Sequence, residues 1–84
     1  MKVDILGEHC CAIHMNDGTY LQSYWSIVAF IPNSGRYDAV VYPKWDYSRT
    51  TAKHVGQFLN WSSKEIREKI KRGEIKYCTE EPDL

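Results

Sequence analysis

The first half of the chain alternates hydrophobic and polar residues in the way that predicts β-strands. Residues 2–6, "KVDIL", form the first such run, Gly7 bulges or breaks it, and "HCCAIHM" continues it. The aromatic and branched stretch "TYLQSYWSIVAFI" predicts a second strand up to Pro32, and "RYDAVVYP" predicts a third. The short turns "NDG" and "NSG" separate these strands, so the pattern predicts an antiparallel meander.

The second half of the chain changes to helical spacing. Ser48 is the predicted N-cap of a first helix, with Asp46 as the alternative. Ser62 begins a second helix in a capping-box pattern, Gly73 ends it, and residues 75–78, "IKYC", predict a short strand. The first helix has an apolar stripe at three- and four-residue intervals, formed by Ala52, Val55, Phe58 and Leu59.

Strands followed by helices predict an α+β fold. We expect a small antiparallel meander of three to five strands, packed by one or two C-terminal helices. Eighty-four residues correspond to one domain, which we place at residues 1–78. The acidic residues 79–84, "TEEPDL", predict a flexible tail.

The charge balance argues against an extensive nucleic-acid surface. The chain contains eleven basic and eleven acidic residues, whereas nucleic-acid-binding domains usually carry an excess of basic residues. A net charge of zero is still compatible with a local basic patch, and it opposes self-association only weakly because the copies do not repel each other strongly. On the second helix, Lys64, Arg67 and Lys71 alternate with glutamates, which is typical of a solvated face.

Cysteine usage and hydropathy predict a cytoplasmic protein with reduced thiols. No apolar run approaches the length of a membrane span, and no leader opens the chain. Cys10, Cys11 and Cys78 are an odd set without paired zinc-ligand spacing, so we expect no metal and no cofactor. Phosphate-loop and nucleophile-elbow motifs are also missing from the sequence.

The segment "KWDYSRTTAKH", residues 44–54, concentrates the chemistry of the chain. One interpretation is structural, with Asp46 or Ser48 as a cap and the rings packed on the sheet. The other is a binding surface at a helix start, where basic groups and backbone amides attract anions. The candidate binding residues are Tyr47, Arg49, Lys53, His54, Tyr24, Trp25, Trp45 and Asp46, with Tyr20 as a further aromatic anchor. Acid–base catalysis by His54 is the weaker alternative, because the sequence shows neither an orienting partner nor a cleft.

Two stretches, "YLQSYWSIVAFI" and "KWDYSRTTAKHVGQFL", resemble a family of small uncharacterised proteins from bacteriophages and their bacterial hosts. The resemblance covers about residues 19 to 75, including the "SKEIREKIKRGEI" stretch. It implies an intracellular protein of a phage or mobile element, and no particular reaction. The shared motif contains Tyr24, Trp45, Asp46, Tyr47, Ser48, Thr50, Thr51, Lys53 and His54.

These observations lead to three functional hypotheses. The first is a non-enzymatic binding protein, in the form of a phage-encoded inhibitor or modulator of a host or defence protein. Tyr, Trp and Arg, the residue types that dominate protein interfaces, support it. The second is a nucleic-acid-binding module or small nuclease that uses Arg49, Lys53 and His54. The third is a structural protein that assembles with itself, for example into a virion or another complex. As an isolated protein we expect a monomer or a small homo-oligomer.

Overall fold

A computed structural model describes residues 2–35 and 37–83, which form one six-stranded sheet and two helices. Three residues lie outside the described ones. They are Met1, the first residue of the predicted domain; Arg36, the first residue of "RYDAVVYP"; and Leu84, the last residue of the predicted tail. The elements are β1 (Lys2–Gly7), β2 (Cys10–Met15), β3 (Gly18–Ser23), β4 (Ser26–Pro32), β5 (Ala39–Val41), α1 (Arg49–Leu59), α2 (Ser63–Arg72) and β6 (Ile75–Tyr77).

The α+β class is confirmed, but the sheet is larger than predicted and is mixed. Strands β1 to β5 are antiparallel neighbours in chain order, whereas β6 pairs with β5 in parallel. A connection that contains helices can return the chain to the same direction, which a short hairpin turn cannot do. The helices therefore precede the last strand and are not the C-terminal elements of the fold.

The prediction of one strand over "TYLQSYWSIVAFI" is wrong, because this stretch folds back on itself. It contains β3 and β4, joined by a tight turn at Tyr24 and Trp25. Tyr24 takes the left-handed backbone conformation that such a turn needs, with φ of 56°. The sequence pattern does not predict this turn, because Tyr24 and Trp25 occupy positions where Asn or Gly usually indicates a turn.

The two faces of the sheet have different partners. Helices α1 and α2 cover one face, where the main core includes Leu21, Val28, Val55 and Ile66. The alternate side chains form a smaller cluster with Ile13, Ile27 and Tyr42 at its centre, supported by Cys11, Tyr20, Phe30, Val40 and Cys78. Glu81, Pro82 and Asp83 border a cavity on this second face, while the flexibility of the tail stays a prediction.

The predicted helix ends are confirmed. Ser48 caps α1 by accepting a hydrogen bond from the Thr51 amide at 3.1 Å, and Ser62 caps α2 in the same way. Gly56 allows the close turn between the two helices, and its carbonyl accepts a hydrogen bond from the Trp61 amide at 3.1 Å. A Cβ there would lie 2.9 Å from the carbonyl oxygen of Trp61. Neither helix of the described residues is long and apolar enough to cross a bilayer.

Gly18, at the start of β3, is the position where a methyl group should be most harmful. A Cβ on Gly18 would lie 2.3 Å from the backbone oxygen of Ile31 and 2.7 Å from the Phe30 ring, at a φ of 156°. We expect Gly18→Ala to lower the free energy of unfolding by about 2 kcal/mol or more, measured by urea denaturation. Gly7→Ala is the matched control, since a Cβ there meets nothing within 4 Å. Equal losses in both variants would contradict the close approach at Gly18.

Candidate functional site

Three of the predicted binding residues meet at a cavity of about 350 Å³ between the β3–β4 turn and the start of α1. Trp25 and Tyr47 have 93% and 78% of their surface exposed, and Tyr24 is also exposed. We call this cavity the aromatic pocket; it is lined by Ser23, Tyr24, Trp25, Ser26, Val28, Lys44, Tyr47, Ser48 and Thr51.

Trp45 and Asp46 lie elsewhere and hold α2 in place. Trp45 is only 3% exposed and belongs to the main core. The Arg67 guanidinium lies 5.3 Å from the centre of the Trp45 ring and 3.6 Å from an Asp46 carboxylate oxygen. Burial removes Trp45 from any surface that a partner could touch, so the structural interpretation accounts for these two residues.

Arg49 and Lys53 lie on the exposed side of α1. Arg49 is the first residue of the helix, directly after Ser48, which lines the aromatic pocket. Lys53 borders a different groove, together with residues at the junction of α1 and α2 such as Gly56 and Trp61. Arg49 and Lys53 are thus one turn apart on the same face of α1, whereas His54 is directed towards Ser23 of β3.

His54 takes part in a buried network of hydroxyl groups that connects α1 to β3. Its Nδ1 lies 2.8 Å from the Ser23 Oγ, which lies 3.3 Å from the Thr51 Oγ1. Thr51 Oγ1 also accepts a hydrogen bond from the Ser48 hydroxyl at 3.2 Å. Ser23 and Thr51 are 2% and 3% exposed, so their polar atoms satisfy one another without water.

Sequence reasoning missed Ser23 and named Thr51 only as part of the shared motif. A signal for Ser23 exists, because it lies two residues after Leu21 and therefore on the same face of the strand as that apolar residue. A polar side chain at such a position needs a buried partner. The identity of that partner depends on the packing of α1 on the sheet, which no local pattern predicts.

Tyr24 lies between two imidazole rings. The His9 ring is stacked on it at 4.8 Å between ring centres, and the His54 ring lies 6.3 Å away on a tilted plane. The Tyr24 amide donates a hydrogen bond to the His9 carbonyl at 2.7 Å. The β1–β2 and β3–β4 turns are therefore tied together beside the start of α1, which fixes the orientation of the Tyr24 ring.

The electrostatic setting favours a neutral His54. Burial lowers the pKa of its imidazole, with smaller contributions from Lys53 and His9. A neutral imidazole beside a hydroxyl is the pair that base-assisted nucleophiles use. However, no hydrogen bond within residues 2–35 and 37–83 gives the His54 Nε2 an orienting partner, and Ser23 is buried. The arrangement thus positions α1 and the Tyr24 ring.

The cysteine and histidine residues do not assemble into a metal site in the described part of the chain. No group of three or more His, Cys, Asp or Glu side chains there could hold a metal ion. His14 bonds Asp4 and Thr19 instead, at 2.8 and 3.1 Å. Cys10 lies in the main core as a free thiol, and burial raises its pKa, which makes it unreactive.

Ser48 has two structural roles, so its loss should cost more than the loss of an ordinary N-cap. We expect Ser48→Ala to lower the free energy of unfolding by about 2 kcal/mol, because Thr51 also loses a buried partner. The matched control is Ser62→Ala, an exposed cap, for which we expect about 1 kcal/mol. Urea denaturation of both variants measures the difference, and equal losses would contradict the network.

The lowered pKa of His54 predicts a loss of stability in mild acid. The unfolded chain binds a proton near the ordinary pKa of 6.5, whereas the folded chain binds it only at lower pH. The free energy of unfolding should therefore fall as the pH decreases through 6.5, and level off below the folded pKa. The imidazole proton signal that disappears in His54→Gln identifies the residue by NMR. A titration midpoint at or above 6.5 would contradict the burial argument.

Comparison with known proteins identifies a family but no activity. Searches of curated proteins and of solved structures gave no match. The model of a family of unknown function, DUF8033, matches residues 3–75, which include the aromatic pocket and the hydroxyl network. No enzyme family is indicated. The match extends over most of the sequence, and the chain therefore belongs to the DUF8033 family of unknown function.

Proposed function

We propose that this chain is a small non-enzymatic protein that binds another protein through the aromatic pocket. The observation that carries the proposal is the exposure of two large rings, Trp25 and Tyr47, at the same cavity. Tyrosine and tryptophan side chains supply much of the binding energy of protein interfaces when a partner covers them. A contact here would bury both rings together.

Contacts within the chain hold the Tyr24 ring and the backbone at Tyr47. The His9 ring and the backbone bond to His9 hold Tyr24, and the Tyr47 amide donates to the Lys44 carbonyl at 3.1 Å. Ser48 fixes the start of α1 directly after Tyr47. Residues that are ordered before binding lose little conformational entropy in the complex, so more of the contact energy contributes to affinity.

The specific form of the proposal is a phage-encoded inhibitor or modulator that occludes a host or defence protein in the bacterial cytoplasm. Its support is the resemblance of the "WDYSRTTAKH" region to small phage and host proteins, together with the small size of the chain. Exposed Arg49 would then contact the partner at the start of α1, and Lys53 would extend the contact one turn further along the helix, towards the α1–α2 groove.

A nucleic-acid partner is the second candidate. Arg49, Lys53 and the exposed Tyr47 ring favour it, since cations and aromatic faces together bind single strands. His54 contributes less to this candidate, because its Nδ1 is engaged with Ser23. Self-assembly is the third, and light scattering that shows only monomer would exclude it.

Affinity capture from a bacterial host lysate tests the first proposal. We expect a protein captured by the wild-type chain to be reduced at least about tenfold with Trp25→Ser/Tyr47→Ser. The matched control is Tyr77→Ser, which removes an exposed ring from β6 at the edge of the sheet. Capture that survives in the double variant, or falls equally in the control, would overturn the proposal.

Fluorescence anisotropy with short DNA and RNA strands at two salt concentrations tests the second candidate. Binding that weakens steeply with salt and is lost in Arg49→Ala would place nucleic acid ahead of a protein partner. If the partner is a protein, we expect neither the DNA nor the RNA strand to bind this chain, even at low salt.

A further inference from the structure

Positive charge beside the aromatic pocket has no internal partner. Lys44 lines the pocket, Arg49 follows the lining residue Ser48 in the chain, and both residues are exposed. Among the ion pairs of residues 2–35 and 37–83, neither Lys44 nor Arg49 contacts a carboxylate. On α2, by contrast, Arg67, Lys69 and Arg72 pair with acidic side chains, while Lys64 and Lys71 do not pair with any in the described part of the chain.

The acidic group nearest in sequence is directed away from the pocket. Asp46 pairs with Arg67 of α2 at 3.6 Å and does not line the pocket. The first turn of α1 contains no acidic residue, so nothing offsets the partial positive charge of that helix end. Lys44 and Arg49 therefore place positive charge on the α1 side of the pocket, whereas Glu81 and Asp83 border the cavity on the other side of Trp25.

The interior of the pocket offers apolar surface. Tyr24, Trp25 and Tyr47 contribute exposed rings. The hydroxyls of Ser23, Ser48 and Thr51 are already bonded within the buried network. A volume of about 350 Å³ is at the small end of the range of ligand sites, which suits one large side chain. An occupant would therefore gain mainly from burying apolar surface inside and from meeting cations at the rim.

We infer that the aromatic pocket recognises a segment of a partner protein that presents one large apolar side chain flanked by carboxylates. This inference rests on the proposed function and adds the chemistry of the partner. The apolar side chain packs between Trp25 and Tyr47, and the carboxylates pair with Lys44 and Arg49. Complementary charge at the rim selects acidic segments over basic ones, and the side chain in the pocket supplies most of the affinity.

A nucleic-acid strand fits this pocket less well than an acidic protein segment. A phosphate backbone binds along a row of cations, whereas Lys44 is the only cation among the lining residues. Lys53, the next cation of α1, borders the groove at the α1–α2 junction and not the pocket. The local geometry thus provides one apolar cavity with charge at its rim, not a charged track.

Three short peptides separate the two parts of this recognition in an NMR titration of the full chain. The probes are Ac-Asp-Trp-Asp-NH2, its basic counterpart Ac-Lys-Trp-Lys-NH2, and Ac-Asp-Ala-Asp-NH2, which lacks the ring. We expect the acidic tryptophan peptide to bind at least about fivefold more tightly than the basic one at low salt. Its affinity should also be at least about tenfold higher than that of the alanine peptide, which lacks the ring. The shifted signals should include the Trp25 indole and the amides of Tyr47 and Ser48.

A charge reversal provides the decisive control. Lys44→Glu should invert the preference between the acidic and basic peptides, while the Lys76→Glu variant on β6 should leave it unchanged. High salt should reduce the preference without abolishing binding of the ring. Equal affinity for both charged peptides, or shifts confined to Tyr20 and Phe30 on the second face, would overturn the inference.

Failure of this inference differs from failure of the proposed function. If the peptides do not bind but protein capture still depends on Trp25 and Tyr47, the pocket binds a protein of other chemistry and only the inference is wrong. If capture is independent of both rings, the proposed function itself fails. An oligonucleotide that displaces the acidic peptide in a salt-dependent way would also overturn the inference.

Discussion

The hydrogen bonds of Ser23 are the interaction on which the rest of this structure depends. Ser23 places a hydroxyl inside an apolar sheet, and an unsatisfied hydroxyl there would cost more than most single contacts provide. Thr51 and His54 satisfy it from α1, at two positions three residues apart on the helix. A shift of α1 along the sheet would break both bonds, so the polar pair fixes the helix in one register.

The surface chemistry follows from that register. Tyr24 comes directly after Ser23 and takes a left-handed backbone conformation in the β3–β4 turn. The imidazole rings of His9 and His54 lie on either side of its ring. Trp25 is the other residue of the turn and projects into solvent. The start of α1 brings Tyr47 to the same place. Two aromatic groups from distant parts of the sequence thus become one surface because a buried serine requires a helix beside it.

Local patterns were sufficient for the helices and insufficient for the sheet. Ser48, Ser62 and Gly73 act on their own backbone neighbours, so the sequence alone locates both helix starts and the end of α2. The turn at Tyr24 and Trp25 depends on cross-strand bonds and on the His9 carbonyl, which are distant in sequence. The parallel pairing of β6 likewise depends on how both helices pack.

The candidate site was predictable to the same extent. The residues Tyr24, Trp25 and Tyr47 could be nominated from their types, since exposed rings are typical of interfaces. Trp45 could not be distinguished from them, because an aromatic residue in a turn is compatible with either core or surface. Its burial is decided by Arg67 and α2. The inward direction of His54 was not predictable either. Its partner Ser23 lies at the end of β3, and the sequence pattern predicted β3 and β4 as a single strand.

The parallel pair of β5 and β6 also determines the order in which the molecule can be assembled. The hairpins of β1 to β4 join sequence neighbours and close short loops at low entropic cost. Strand β6 reaches β5 only across both helices, and its three residues offer few bonds to compensate for that long closure. The same crossover carries Tyr47 and Ser48 to the β3–β4 turn. The aromatic pocket forms only where the start of α1 lies beside the β3–β4 turn, so the hairpins of β1 to β4 do not contain it by themselves.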